Sequence, residues 1–214
     1  MTRAKAAAGT ATDVSPANSC ERDASVKAPP RERLLDAAAE LFARQGVNVS
    51  TDALCRAAGI SKRSMYQFFS SKDEIIATSL ARQVPAIIAF LIPDADEAAS
   101  PREQMMYVFH RLEDIAPNPD FYGCPFLSTM VELKDSDHPA SVIALRQKNE
   151  LTAFFRREAA RGGASDPTLL ARQLSLVYDG AVARVGAGIE QLDGLSLVTA
   201  AALIDAAGIP AQTT

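Results

Sequence analysis

The chain has 214 residues, 48% of them hydrophobic, and a formal net charge of −4, which is enough for one substantial domain or a small one joined to a larger. No uninterrupted apolar run reaches the ~18 residues of a membrane span. The Ala-rich, polar start lacks the apolar core of a secretion signal, so the sequence reads as cytoplasmic, with no membrane partner. Cys20, Cys55 and Cys124 are an odd number at wide spacing; they form neither a zinc pattern nor a disulfide framework and suit a reducing compartment.

Residues 1–30 carry only Met1, Val14 and Val26 as bulky apolar side chains and end at Pro29-Pro30. Such a stretch cannot build a core and reads as a disordered tail. Helical periodicity then takes over. "RERLLDAAAELFARQG" sets Leu34, Leu35, Ala38, Leu41 and Phe42 on one stripe and stops at Gly46. "STDALCRAAG" offers Ser50 or Thr51 as N-cap and ends at Gly59. A third helix over 62–69 follows Ser61. A fourth follows Ser70 or Ser71, with Asp73 and Glu74 in its first turn, where the helix dipole favours acids. Pro85 is expected to kink or end that helix. "PDADEAASP" reads as a loop, and further helices are expected at about 101–116, 125–134, 139–161, 167–188 and 195–207. β-branched residues are scattered without period-two alternation, so the class is all-α, with about nine helices.

Charge is unevenly distributed. Residues 31–84 hold eight Lys/Arg against six Asp/Glu, whereas residues 85–214 hold ten against seventeen. A mildly basic end permits a nucleic-acid partner without demanding one. Three short helices span 31–69, the second and third joined by the tight "AAGIS" turn, which is the layout of a helix-turn-helix. Gly59 supplies the turn, and Ile60 joins Leu34, Leu41, Phe42, Val49, Leu54, Met65 and Phe69 in a small core. At about 100° per residue, Met65, Phe68 and Phe69 gather on one side of the third helix. Arg63, Tyr66 and Gln67 gather on the other, with Lys62 beside them. Arg63 suits a guanine edge and Gln67 an adenine edge, while Tyr66, Lys72 and Thr51 suit phosphates. The plain alternative is a merely solvated face.

The stretch "LLDAAAELFARQGVNVSTDALCRAAGISKRSMYQFFSSKDEII" resembles the DNA-binding domain of the TetR family of one-component transcriptional regulators, without a gap over residues 31–76. The resemblance rests on the first helix ending in "LFARQG", the "AAGISK" turn, the Tyr-x-x-Phe of the third helix and the "SKDE" entry to the fourth. It implies a helix-turn-helix domain over 31–76. It also implies a helical domain over 77–214 that holds a small-molecule effector pocket and a homodimer interface. The function implied is repression from a palindromic double-stranded DNA operator, relieved by the effector. By the same resemblance Lys62, Arg63, Ser64, Tyr66 and Gln67 face DNA. Tyr66 and Lys72 match phosphate-contacting positions, and Ser50 and Thr51 match a backbone-contacting hydroxyl.

Past Pro85 the resemblance supplies no matched positions. Met105, Met106, Tyr107, Phe109 and His110 on one helix, Phe121, Tyr122 and Cys124 in the following loop, and Phe126 and Met130 on the next helix suit an effector cavity. Ordinary core filling is the alternative. Cys124 precedes Pro125 at a helix start, where the dipole can lower a thiol pKa; it is either a sensor or an inert buried thiol. His110 and His138 have no grouped carboxylates, so neither metal nor cofactor is expected. "DPTLLARQLSLVYDGAVARVGAGIE" places Leu170, Leu174, Val177, Ala181 and Val185 on one stripe. With the helix "LSLVTAAALIDAAG" it forms a candidate four-helix dimer interface, or else part of the monomer's own core. Gly180, Gly186 and Gly188 are costly inside a helix unless another backbone comes close. An enzyme is the competing class, but no nucleophile, base and acid are grouped and no phosphate loop appears. A head that binds protein instead of DNA is disfavoured by its basic rim.

Overall fold

A computed structural model describes residues 28–93 and 100–211. Apart from its last three residues, the tail expected over 1–30 lies outside the described residues, as does most of the loop expected at 93–101. The described residues form nine α-helices and no strand: α1 (Pro30–Gln45), α2 (Thr51–Ala58), α3 (Lys62–Phe68), α4 (Lys72–Leu91), α5 (Pro101–Ile115), α6 (Pro125–Leu133), α7 (Pro139–Arg161), α8 (Pro167–Gly186) and α9 (Leu195–Ala206).

Local chemistry sets the boundaries of the first four helices. Of the paired cap candidates, Ser50 and Ser71 are used: Ser50 Oγ accepts from Ala53 N at 3.2 Å and Ser71 Oγ from Glu74 N at 3.1 Å. Ser61 Oγ accepts from Ser64 N at 3.0 Å. Each satisfies an amide that the helix itself leaves unpaired. Gly59 ends α2 in the left-handed region, φ 62° and ψ 40°. Its N–H and that of Ile60 turn back to Arg56 and Cys55 carbonyls, a closure that favours glycine. Leu34, Leu35, Ala38, Val49, Leu54, Met65 and Phe69 then close a small core, each larger side chain contributing about 1.5–3 kcal/mol of burial. Phe68 differs from the expectation: it is 37% exposed. α3 ends there, and the extended backbone of Phe69 (φ −139°, ψ 132°) carries that ring inward instead.

α4 joins this head to the rest of the chain. Ile75 packs into the head core, Ile76 and Leu80 join Val47, Phe126, Ala140 and Ala144, and Leu91 enters the main core of α5, α7, α8 and α9. Pro85 neither ends nor breaks α4, which runs six residues beyond it. Its own position is exposed, while Ile87, Phe90 and Leu91 pack on the main core; that packing outweighs the lost backbone bond. By length and composition α4 is apolar enough to cross a bilayer, with mean hydropathy 1.4, a property the sequence reading missed. In the fold its apolar side chains are shared among three clusters.

Glu113 of α5 fixes the start of α9, accepting from Gly194 N, Ser196 N and Ser196 Oγ. The segment before α6 rests on the end of α8. A Cβ at Gly186 would stand 2.8 Å from both Gly123 Cα and Tyr122 O, so this glycine admits a close backbone approach within the chain. Gly180 has open space around it.

Candidate nucleic-acid interface and effector cavity

α3 presents its polar side outward. Met65 is fully buried beneath it, while Lys62, Arg63 and Gln67 are exposed and Tyr66 is 51% exposed. Ser64 is half-buried, its hydroxyl 2.9 Å from that of Ser61. Lys62 is tied back: Nζ lies 3.1 Å from Asp52 Oδ1 of α2, and this carboxylate raises the ammonium pKa. Arg63 has no such partner among the described residues, which leaves its guanidinium open. Lys72 is the first residue of α4 and half-buried. Ser50 uses its oxygen to cap α2, so only its proton remains for a phosphate, and Thr51 follows it half-buried. Arg33 Nη2 donates to Gly59 O at 3.2 Å, bracing the turn. The Lys62–Asp52 pair brings the starts of α2 and α3 together, and helix starts favour anions through their amide dipoles.

Behind the head lies a cavity of about 260 Å³. Its walls come from α1 (Phe42, Ala43), α4 (Gln83, Ile87, Phe90), the segment 120–124, α6 (Ser128, Glu132) and α8 (Tyr178, Val182), with Leu112 and Ile115 of α5 beneath. Of the expected pocket residues, Phe121, Tyr122 and Cys124 line it. Met105 and Phe109 are fully buried in the main core, where Phe109 stacks on Phe155 with centroids 5.8 Å apart. Phe126 is fully buried in the cluster that joins head to body, with Met130 packed against it. Met106 packs on the main core, Tyr107 is half-buried with Arg111 near its ring, and His110 is exposed. None of these seven lines the cavity. Burial, chiefly, pushes the Cys124 thiol up rather than down, contrary to the expected dipole effect: desolvation of a thiolate outweighs the helix start. Burial likewise raises the Tyr178 phenol well above its ordinary range, so it stays a neutral hydroxyl.

The cavity touches the head directly. Arg44 at the end of α1 donates to Asp120 Oδ1 at 3.1 Å, and its guanidinium lies 5.5 Å from the Tyr122 ring centroid. The Tyr122 hydroxyl donates to the same Asp120 oxygen at 3.3 Å. Glu132 Oε2 accepts from Val47 N, just past α1, at 2.6 Å. Sequence reasoning missed Phe42, Gln83, Phe90, Asp120, Glu132 and Tyr178. For Glu132 a signal existed: it is the lone charge in the helix "PFLSTMVEL".

On α8 the stripe expected at a dimer interface turns inward. Leu170 and Leu174 are 1% and 0% exposed in the main core, and Val177, Ala181 and Val185 pack against it. Apolar surface remains on α8 and α9 and the segment between them: Leu176 is 75% and Val198 71% exposed, with Leu169, Ile189 and Leu195 also exposed and the open Gly180 on α8. Val131 of α6 and Val142 and Leu145 of α7 are exposed as well.

Residues 34–78 match the profile of bacterial regulatory proteins of the tetR family. A TetR-type transcriptional regulator of Streptomyces avermitilis, known from its crystal structure, is 56% identical. The match covers 85% of this chain and 100% of that one, with a TM-score of 0.82. The HTH-type transcriptional regulator YjdC of Escherichia coli is 23% identical over 167 residues, 76% of this chain and 86% of that protein. FadR of Bacillus subtilis, solved in complex with stearoyl-CoA, shares the fold at 19% identity and a TM-score of 0.63, covering 81% of this chain and 97% of that one.

Proposed function

Because the chain belongs to the TetR family of bacterial transcriptional regulators, we propose that it is a homodimeric repressor whose two heads hold a palindromic operator in the cytoplasm until a small molecule enters the cavity behind α1. The observation that carries this reading is the rim of α3. Arg63 is exposed and, among the described residues, unpaired beside Tyr66 and Gln67, on a helix anchored by buried Met65. In the major groove Arg63 reads a base edge, and Gln67 a second. Tyr66, Lys72, Ser50 and Thr51 hold the backbone. Lys62 reaches DNA by leaving Asp52, and an exposed pair of that kind is weak because water and salt screen it.

Dimerisation uses the outer side of α8 and α9. Exposed apolar side chains on two helices packed together suit an association surface, and a two-fold pairing sets two heads against the two halves of an operator. Release follows from shared walls: Phe42 and Ala43 belong both to α1 of the head and to the cavity. A ligand that displaces them, or the Arg44–Asp120 link beside them, moves the head relative to its twin.

The test is selection of bound duplexes from a random pool, followed by fluorescence anisotropy with the recovered site. Arg63→Ala is expected to remain dimeric and to lose about 1–3 kcal/mol of discrimination at one base position, with a shallower salt dependence. An Arg63→Ala protein that binds the selected duplex as tightly as the parent, with unchanged sequence preference, would overturn the assigned role.

A further inference from the structure

Taking the cavity to be the effector site, we propose that its ligand is a small aromatic cation and that Glu132 is the residue that recognises the charge. The two lining carboxylates are not equivalent. Asp120 is already paired with Arg44 and further engaged by Tyr122. Glu132 is half-buried at the cavity wall and has no Lys, Arg or His within ion-pair distance among the described residues; its one hydrogen bond is from Val47 N. A half-buried carboxylate without a cation is costly, and a ligand ammonium or pyridinium would supply that cation.

The rest of the wall suits the same molecule. No Lys, Arg or His lines the cavity; the nearby Arg44 and Lys148 are already paired with Asp120 and Asp179, so a carboxylate or phosphate ligand would bring its anion against Glu132 without an uncommitted cation in the wall. Arg111, Arg44 and Lys148 already lie over the rings of Phe90, Tyr122 and Tyr178, whereas Phe42 and Phe121 line the cavity with no cation over them among the described residues; ring faces attract cations as well as apolar groups. The volume of about 260 Å³ lies just below the ~300–1,000 Å³ typical of drug-sized sites, which limits the ligand to one or two rings. Recognition and response then share an atom group. Glu132 holds the amide of Val47 at the end of the α1 turn, so a cation drawn to this carboxylate pulls on the bond that ties head to body.

The experiment uses the full-length dimer and three probes of nearly equal shape: N-methyl-4-phenylpyridinium, 4-methylbiphenyl and biphenyl-4-carboxylate. Affinities come from calorimetry, and operator release from anisotropy. The pyridinium is expected to bind about tenfold or more tightly than the neutral hydrocarbon, and the carboxylate most weakly. Glu132→Gln keeps an oxygen acceptor for Val47 N, so the fold is retained. It is expected to abolish the preference for the cation while leaving the hydrocarbon's affinity unchanged. If the hydrocarbon binds and releases DNA as well as the pyridinium, or if the preference survives Glu132→Gln, the charge assignment is wrong although the cavity remains the effector site. If the probes bind without any effect on DNA, the effector reading itself fails, and the proposal with it.

Discussion

Replacing Gly186 by alanine separates a close backbone approach from a merely exposed helix position, because the two give opposite signs. In a helix with free space around it, Gly→Ala stabilises by about 0.8–1.0 kcal/mol. At Gly186 the added Cβ would meet Gly123 Cα and Tyr122 O at 2.8 Å, and both are backbone atoms that no rotamer change can move. Gly123 has little freedom to yield: its φ is 91°, and Val182 O lies 3.3 Å from the site of its own Cβ. Overpacking of this sort costs about 1–3 kcal/mol. Subtracting the helical gain leaves a net destabilisation of about 1 kcal/mol, which for a chain of this size lowers Tm by about 2–4 °C. Circular-dichroism melts at one fixed protein concentration measure it, since dimerisation makes Tm concentration-dependent. Tyr122 and Gly123 also line the cavity, so ligand affinity should fall alongside Tm. A Tm that rises by a few degrees, with ligand binding intact, would show that the 120–124 segment does not rest on α8 as described.

Leu176→Glu is expected to yield a folded monomer by analytical ultracentrifugation, because in a two-fold interface each substitution acts twice and a buried carboxylate lacks a partner; a persistent dimer would place the interface elsewhere. Glu74 accepts from Ser70 N and Ser70 Oγ, both at 2.7 Å, and these bonds hold its pKa below the ordinary 4.5. Its contribution is therefore fully present above that ordinary value and lost as pH falls through the lowered one. Urea denaturation at several pH values should show a Glu74→Gln variant losing less stability on acidification than the parent, and parallel curves would count against the linkage. Burial raises the Cys124 thiol above its ordinary 9.0, so peptide mapping after iodoacetamide at neutral pH should find it alkylated more slowly than a free cysteine in the same solution; faster labelling would restore the activated-thiol reading.

The head was legible because each of its signals is local. Ser50, Ser61 and Ser71 cap helices whose first turns follow at fixed offsets, and Gly59 occupies a turn position that needs a left-handed backbone. That α4 continues past Pro85 was not legible, because the proline rule is also local, whereas the continuation depends on Ile87, Phe90 and Leu91 finding partners on distant helices. The same holds for α8. Apolar residues occur all round it, at Leu169 and Leu176 as well as at Leu170 and Leu174, so periodicity alone does not say which side faces the monomer and which faces a partner. Only the placement of α5, α7 and α9 decides.

Cavity residues are harder still, for a physical reason. A side chain that packs against others and one that borders a void have the same composition and the same helical spacing; they differ in what lies opposite. Phe109 stacks on Phe155, whereas Phe90, packed on the core and with Arg111 over its ring, also borders open volume. Loop residues 121, 122 and 124 could be found because nothing local explained aromatic and thiol groups beside Gly123 and Pro125. Glu132 had the corresponding mark on a helix, a single charge on an otherwise uncharged element. Since a half-buried charge is retained only where something offsets its desolvation, an isolated one facing a cavity with no cation in its lining is informative about the missing partner. By that argument the lone acid of α6, more than the Met- and Phe-rich run of α5, is where the ligand's chemistry was written in this chain.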